Sequence, residues 1–174
     1  MQEEPVRIVV MGVSGCGKSS LGQALAQALK LPLIEGDDFH PPANVAKMRA
    51  GTPLDDADRV DWLRTLGDQL AQHAQGAVLT CSSLKRAYRA QLRTAAPGLR
   101  FVFMHITPDE ALRRVAERAA AHMFPASLVA SQFAALESPE GEAGVLCVPA
   151  TAALGTSVQA VQDWLNTEAT GAAP

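Results

Sequence analysis

The stretch GVSGCGKS, residues 12–19, follows a short apolar run near the start of the chain. It fits the pattern G-x-x-x-x-G-K-[ST], which forms a phosphate-binding P-loop where a strand precedes it and a helix follows it. Both neighbours are predicted here, because residues 8–11 indicate a buried strand and residues 20–29 a helix. An ordinary glycine-rich turn is the alternative. The position of the stretch directly between the predicted strand and the predicted helix disfavours that alternative. The stretch therefore predicts a site for a nucleoside triphosphate.

The residue types in this loop suit the binding of phosphate. Glycines let the backbone wrap closely round phosphate oxygens with N–H groups pointing inward, and the helix N-terminus adds partial positive charge. Lys18 is expected to reach the β- and γ-phosphates, and Ser19 to bind Mg²⁺. The predicted nucleotide contacts are Gly12, Ser14, Gly15, Cys16, Gly17, Lys18, Ser19 and Ser20.

The overall composition is that of a globular protein. Of the 174 residues, 48% are hydrophobic and 19% charged, which favours a single domain over residues 1–174. The net charge of −3 disfavours binding to nucleic acid through bulk charge. The acidic start resembles no signal segment and no apolar run approaches a membrane span, so we expect a cytoplasmic protein without a membrane partner. Three widely spaced cysteines predict neither a disulfide framework nor a metal site.

Apolar runs alternate with amphipathic segments along the chain. The predicted strands cover residues 7–11, 33–35, 77–81, 101–106 and 145–148. The predicted helices cover residues 18–29, 44–49, 56–75, 85–94, 108–120, 126–136 and 157–166. Thr107 and Glu110 are expected to form a capping box at the start of one helix. Continuous apolar strands are typical of a parallel sheet covered on both faces, so we predict a three-layer α/β P-loop NTPase fold with about five parallel strands.

Two acidic residues follow the second predicted strand, at the sheet edge where open parallel sheets bind their ligands. We assign Asp37 the role of orienting or deprotonating an attacking hydroxyl, and Glu35 that of holding Mg²⁺ through water. A solvated acidic turn is the alternative, since Asp and Gly are common in turns.

Basic residues follow the third and fourth predicted strands. Lys85 and Arg89 are four residues apart, so they are expected to share a helix face that binds an anionic substrate. Arg114 and Arg118 precede a break in the next helix, which predicts a lid over roughly residues 114–126 and arginines that stabilise a phosphoryl group in transfer. In both cases solvated surface charges are the alternative.

Cys16 lies within the loop, near a helix N-terminus and Lys18, which can lower the pKa of a thiol. One hypothesis is that oxidation or alkylation of Cys16 blocks nucleotide binding. The favoured alternative is a small neutral residue that fills space.

Over roughly residues 8–140 the chain resembles the gluconate kinases of the small P-loop type. The resemblance rests on four blocks in order: GVSGCGKS at 12–19, GDDFHP at 36–41 continuing through PLDDADR at 53–59, CSSLKRAYR at 81–89, and HMFP at 122–125. The second block is the most specific to this family. The resemblance implies a fold like that of nucleoside monophosphate kinases, with a lid. It also implies ATP- and Mg²⁺-dependent phosphorylation of D-gluconate to 6-phosphogluconate by a homodimer.

The resemblance also implies roles for individual residues. Lys18, Asp37 and Arg118 are implied to be catalytic, and Arg114 to bind the nucleotide. The substrate-binding segment is implied to be roughly residues 37–63. The implied substrate contacts are Asp37, His40, Lys47, Lys85, Arg89, His122 and Gln132.

The sequence departs from the family pattern at several points. Ser83 stands where the family usually has Ala, Ala121 replaces a lid glycine, and the spacing from Arg118 to His122 is about one residue long. The third predicted strand has no Walker-B aspartate, a role that the acidic residues after the second strand take in this family.

Two alternative functions stay open on the sequence. One is another small-molecule kinase, of the shikimate or adenylylsulfate type; the absence of a Gly-Gly-Gly substrate loop disfavours shikimate. The other is a non-catalytic ATP-sensing regulator, which an intact Asp37 and the arginines of the predicted lid disfavour.

Overall fold

The sheet has five strands and carries the loop at its centre. A computed structural model describes residues 3–118 and 125–171. The strands are β1 (Val6–Met11), β2 (Leu33–Glu35), β3 (Gly76–Thr80), β4 (Arg100–His105) and β5 (Val145–Pro149). All neighbouring pairs among them are parallel, in the order β2-β3-β1-β4-β5. The predicted three-layer α/β fold is confirmed, and each predicted strand agrees with the structure to within one residue at either end.

Seven helices connect and cover the strands in the described parts of the chain. They are α1 (Lys18–Leu29), α2 (Pro42–Arg49), α3 (Asp56–Gln72), α4 (Arg86–Ala95), α5 (Pro108–Glu117), α6 (Val129–Ala135) and α7 (Leu154–Gly171). Short 3-10 turns occupy Gly36–Phe39 and Ala126–Leu128, so α6 begins three residues later than predicted. None of the helices in residues 3–118 and 125–171 is both long and apolar enough to cross a membrane.

Both faces of the sheet are buried, which explains the continuous apolar strands. In β1, Val9 and Met11 belong to the core beneath α3 and α4, whereas Ile8 and Val10 belong to the core beneath α1 and α7. All four side chains have 0% exposure. Because successive side chains of a strand point to opposite faces, a strand covered on both sides must be apolar at every position.

Helix α5 begins with a threonine cap. The predicted cap of α5 is confirmed, since the Glu110 N–H donates to Thr107 Oγ at 3.3 Å. The predicted capping box there is wrong, because the Glu110 carboxylate instead accepts from Arg113 and Arg114 at 2.6 and 2.9 Å. Two arginines one turn along the helix offer the carboxylate charge-assisted partners that a single backbone N–H cannot match.

Candidate active site

The loop joins β1 to α1 in a conformation that needs glycine. Gly12 has φ of 148°, and a Cβ there would lie 2.9 Å from the carbonyl oxygen of Met104. The Gly12 N–H donates to the Ser82 carbonyl at 3.3 Å, which ties the loop to the chain beyond β3. Helix α1 starts at Lys18, so the free N–H groups of its first turn border the loop. This is the strand–loop–helix arrangement that binds phosphate.

Lys18 folds back over the loop. Its Nζ donates to the carbonyl oxygens of Gly12 and Val13 at 2.9 and 3.1 Å. These acceptors are neutral, and a phosphate oxygen is a stronger partner for an ammonium group because the hydrogen bond is then charge-assisted. The ammonium group of Lys18 is therefore held where it can exchange these carbonyl oxygens for the phosphate oxygens of a bound triphosphate.

Ser19 and Glu35 meet at the end of the sheet, as the sequence predicts for a magnesium site. Ser19 Oγ donates to Glu35 Oε2 at 3.1 Å, and Thr80 Oγ1 donates to the same oxygen at 2.6 Å. Thr80 Oγ1 also accepts from the Gly36 N–H at 3.3 Å, which fixes the hydroxyl between the two strands. The sequence reasoning missed Thr80, which ends β3 and orients the carboxylate.

This donor set fits Mg²⁺. The ion prefers hard oxygen ligands and usually combines one or two protein groups with phosphates and water. Ser19 and Glu35 supply a hydroxyl and a carboxylate of that kind beside the loop. Within residues 3–118 and 125–171, no three His, Cys, Asp or Glu side chains cluster as a separate metal site.

Asp37 projects from a tight turn after β2. A Cβ on Gly36 would lie 2.2 Å from the Thr80 carbonyl oxygen, so only glycine lets the chain cross so close to the end of β3. The Asp37 side chain is 66% exposed, and it lines the same cleft as Lys18. An acidic group and the loop lysine therefore meet at one opening, as the sequence predicts.

His40 is held in one orientation beside Asp37. Its ring stacks on Trp62 with centroids 4.0 Å apart, and only 4% of its side chain is exposed. Asn44 Nδ2 lies 3.3 Å from His40 Nδ1 and donates to the carbonyl oxygen of Asp58 at 2.9 Å. A backbone carbonyl only accepts, so the amide atom between them is the nitrogen, and His40 Nδ1 must accept from it. The proton of the neutral ring is therefore on Nε2, which lies 3.7 Å from Asp37 Oδ1.

The surroundings of His40 favour its neutral form. Burial lowers the pKa of His40 below its ordinary value of 6.5, and the positive charge of Arg59 lowers it further. The carboxylate of Asp37 acts in the opposite direction but does not outweigh burial. At neutral pH, His40 is an uncharged hydrogen-bond donor at the edge of the cleft.

Acidification is expected to destabilise the native protein partly through His40. The pKa of His40 is lower in the native protein than in the unfolded chain. The contribution of neutral His40 to the free energy of unfolding is therefore fully present above pH 6.5, and it is lost as the pH falls through the lower native pKa. Urea unfolding between about pH 7.5 and 5.5 measures the effect. The His40→Gln variant should show a flatter profile over this window; identical slopes for the two proteins would contradict the assignment.

The cleft has a volume of about 90 Å³ and opens beside the loop. Five of the predicted site residues line the cleft: Ser14, Lys18, Asp37, His40 and Gln132. Gln132, on α6, also contacts the loop, because its Oε1 accepts from the Ser14 N–H at 2.7 Å. Arg59 and Trp62 of α3 also line the cleft. Both lie in the predicted substrate-binding segment, but the sequence predicts no individual role for either.

A sequence signal for Arg59 existed. The buried positions of α3 are Arg59, Trp62, Leu63, Leu66, Gly67 and Leu70, which follow one helical stripe. An arginine in register with an apolar stripe, in the first turn of the helix, indicates a charge that faces inward.

Three predicted substrate contacts have other partners. Lys85 precedes α4 and pairs with Asp56 at 2.9 Å. Arg89 is fully buried and pairs with Glu142 at 2.6 Å, so the two residues share no exposed anion-binding face and that interpretation is wrong. Lys47 pairs with Asp58 at 2.8 Å. For Arg89, burial explains the difference, because a buried guanidinium is costly unless an opposite charge accompanies it.

Arg89 organises the chain beyond α6. Besides its ion pair with Glu142, it donates to the carbonyl oxygens of Ser83 and Glu137 at 2.8 and 2.9 Å. The Glu137 carboxylate in turn accepts from the Arg86 N–H at 2.8 Å. Arg89 thus has a structural position in which its donors are used within the protein.

Arg114 lies beside the loop, and Arg118 at the end of α5. The guanidinium of Arg114 donates to the carbonyl oxygens of Gly15 and Cys16 at 3.4 Å and of Ala150 at 3.1 Å. It thereby connects the loop to the chain after β5. Arg118 is exposed. The predicted substrate contact His122 and the rest of residues 119–124 of the predicted lid lie outside the described residues.

Cys16 is fully buried in the core beneath α1 and α7. Its position agrees with the alternative of a small residue that fills space. The hypothesis that its oxidation blocks nucleotide binding stays a prediction.

Comparisons with known proteins identify the family. A family model described as an AAA domain matches residues 8–139. The chain is 46% identical to a gluconokinase of Gluconobacter oxydans over 148 residues, 83% of either chain. It is 40% identical to the thermosensitive gluconokinase of Escherichia coli, over 77% of this chain and 73% of that one. A crystal structure of a gluconokinase from Sinorhizobium meliloti superposes with a TM-score of 0.82 at 41% identity, covering 96% and 99% of the two chains.

These matches extend over most of both partners, and the family model spans the loop, the acidic turn and the α3 segment that form the cleft. The sequence resemblance is therefore confirmed, and the chain belongs to the gluconokinase family of P-loop kinases.

Proposed function

We propose that this protein transfers the γ-phosphoryl group of ATP to D-gluconate, giving ADP and 6-phosphogluconate. One observation carries the proposal most directly: Lys18 of the P-loop and Asp37 line a single cleft, beside the Ser19–Glu35 pair. Phosphoryl transfer needs a phosphate-binding cation and an acidic group that positions the acceptor hydroxyl, and these two residue types meet there.

The chemistry follows from these positions. The terminal hydroxyl oxygen of gluconate attacks the γ-phosphorus, the bond from that phosphorus to the bridging oxygen of ADP breaks, and Asp37 accepts the hydroxyl proton. Lys18 and the N–H groups of the loop stabilise the charge on the transferring group. Mg²⁺, held by Ser19 and through water by Glu35, would neutralise charge on the phosphates.

His40 and Gln132 border the acceptor side of this arrangement. The Nε2–H of His40 is a fixed donor near Asp37, suited to a substrate hydroxyl. Gln132 lines the acceptor cleft and accepts from the Ser14 N–H of the loop. It is therefore suited to contact both the acceptor and the nucleotide. Arg114 is proposed to border the nucleotide. Arg118 and His122 are proposed to act from a lid over roughly residues 114–126. Residues 1–174 are proposed to form a single domain. A cytoplasmic homodimer remains a prediction from the family resemblance.

An acceptor panel tests the proposal. ADP formation is measured with ATP and Mg²⁺ in the presence of D-gluconate, shikimate, adenylylsulfate or no acceptor. We expect ADP to form with gluconate alone, and ³¹P NMR of the product to show a phosphomonoester coupled to the two protons of a primary carbon. Turnover with another acceptor instead would indicate a different kinase specificity. Absence of turnover with every acceptor would favour the ATP-sensing regulator.

A further inference from the structure

Arg59 is a cation on the wall of the cleft, and no carboxylate among the described residues forms an ion pair with it. It lies in the first turn of α3 and is only 9% exposed. In the described part of the chain, no carboxylate oxygen comes within 4.0 Å of its guanidinium, in contrast to Arg89 and Arg93, which share Glu142. A charge that is largely removed from water is costly unless an opposite charge accompanies it. The position therefore suits an anion supplied from outside the protein.

Two of its nitrogen atoms keep their donors available. Nη1 donates to the Leu54 carbonyl at 2.7 Å and to the Tyr88 hydroxyl at 3.4 Å. Nε and Nη2 have no acceptor within hydrogen-bond distance among residues 3–118 and 125–171. A guanidinium that is fixed at one nitrogen and free at the others can still bind a carboxylate through two parallel hydrogen bonds.

A hydrogen-bond relay holds the guanidinium in place. Its Cζ lies 5.5 Å from the centre of the Tyr88 ring, and the Tyr88 hydroxyl donates to Asp56. Asp56 also accepts a hydrogen bond from Lys85 at 2.9 Å. The hydrogen bond from Tyr88 has the largest effect in lowering the pKa of Asp56, and that from Lys85 lowers it further. Lys85 thus contributes to the cleft indirectly, through the residues that position Arg59.

We propose that Arg59 binds the carboxylate of the sugar acid and makes the enzyme select an aldonate over the corresponding neutral polyol. Lys18 is the other cation on the described wall of the cleft. In the proposed function it binds the phosphates of ATP and not the acceptor. The inference rests on the proposed function, because it assigns the acid end of the same acceptor whose terminal hydroxyl meets Asp37. Tyr88 and Asp56 are positioning residues in this arrangement.

The test compares two acceptors that differ only at the acid end. D-gluconamide has the hydroxyl chain of gluconate but a neutral amide in place of the carboxylate. In Arg59→Gln we expect kcat/KM for gluconate to fall roughly 100-fold and that for gluconamide to change less than about threefold, so the preference for the acid is lost. A purely structural role would lower both values equally and would leave the preference unchanged, which would overturn the proposal.

Further variants separate the causes. Arg59→Lys keeps the charge without the planar fork, so we expect an intermediate preference for the acid. Tyr88→Phe should raise KM for gluconate and leave KM for ATP unchanged. Arg64→Gln removes an exposed arginine of the same helix and should leave both acceptors unaffected. If the wild-type protein forms no ADP with gluconate, the proposed function fails. If it does and Arg59→Gln keeps the wild-type preference, only the assignment of Arg59 fails.

Discussion

Replacing Asp37 by asparagine is expected to lower kcat about 1000-fold while KM for ATP changes less than about threefold. The amide keeps the size of the side chain but cannot accept the proton that the attacking hydroxyl loses. Because general bases contribute 10²–10⁴-fold, a loss near the middle of that range is expected for a group that both orients and deprotonates. ATP is proposed to bind on the loop, which this substitution leaves unchanged, so its binding should persist.

The adjacent Asp38 provides a matched control. Both side chains are exposed members of the same 3-10 turn, but Asp37 lines the cleft and Asp38 does not. Steady-state kinetics with gluconate should therefore show near-normal turnover for Asp38→Asn. Thermal unfolding of both variants should match the wild type, since substitutions at exposed sites usually change stability by less than about 0.5 kcal/mol. Near-normal turnover in Asp37→Asn would exclude it as the base.

The fold was predictable because it depends on patterns that are local in the sequence. A strand buried on two faces must be apolar throughout, and an aspartate after a glycine at a strand end is visible in a single line of sequence. Gly36 and Asp37 are an example, since the close approach to Thr80 requires glycine at the position before the carboxylate. The P-loop and the acidic turn were located by the same kind of reasoning.

The partners of the cations were not predictable in the same way. Glu142, which pairs with Arg89, is 53 residues away in the sequence, and Asp56 is 29 residues from Lys85. Spacing of four residues indicates which side chains share a helix face, but it does not indicate which acidic groups the fold brings to them. Arg89 was therefore assigned to the substrate although the fold requires it for Glu142. Arg59, which lies on an otherwise apolar stripe, falls within the predicted substrate-binding segment of residues 37–63 but has no predicted role of its own.

Lys18→Ala is expected to abolish turnover, with a loss of at least about 1000-fold, while leaving the native fold intact. The ammonium donates to the carbonyl oxygens of Gly12 and Val13, and it also lies 4.0 Å from Cys16 Sγ. Water can replace it there, so the free energy of unfolding should change by no more than about 1 kcal/mol. In the transition state, the same group faces charge that is spread over the phosphoryl oxygens, where removing it has a much larger cost.

Lys18→Arg distinguishes charge from geometry at this position. Arginine keeps a positive charge but is larger and planar, so it does not fit the point-like contact that lysine makes within the loop. We expect its turnover to remain at least about 100-fold below wild type although its thermal stability is unchanged. Recovery of wild-type turnover in Lys18→Arg would show that charge alone suffices. Activity of Lys18→Ala above one tenth of the wild-type value would contradict the role of Lys18 in phosphoryl transfer. The loop lysine would then serve only to stabilise the empty loop, as its contacts with Gly12 and Val13 already do.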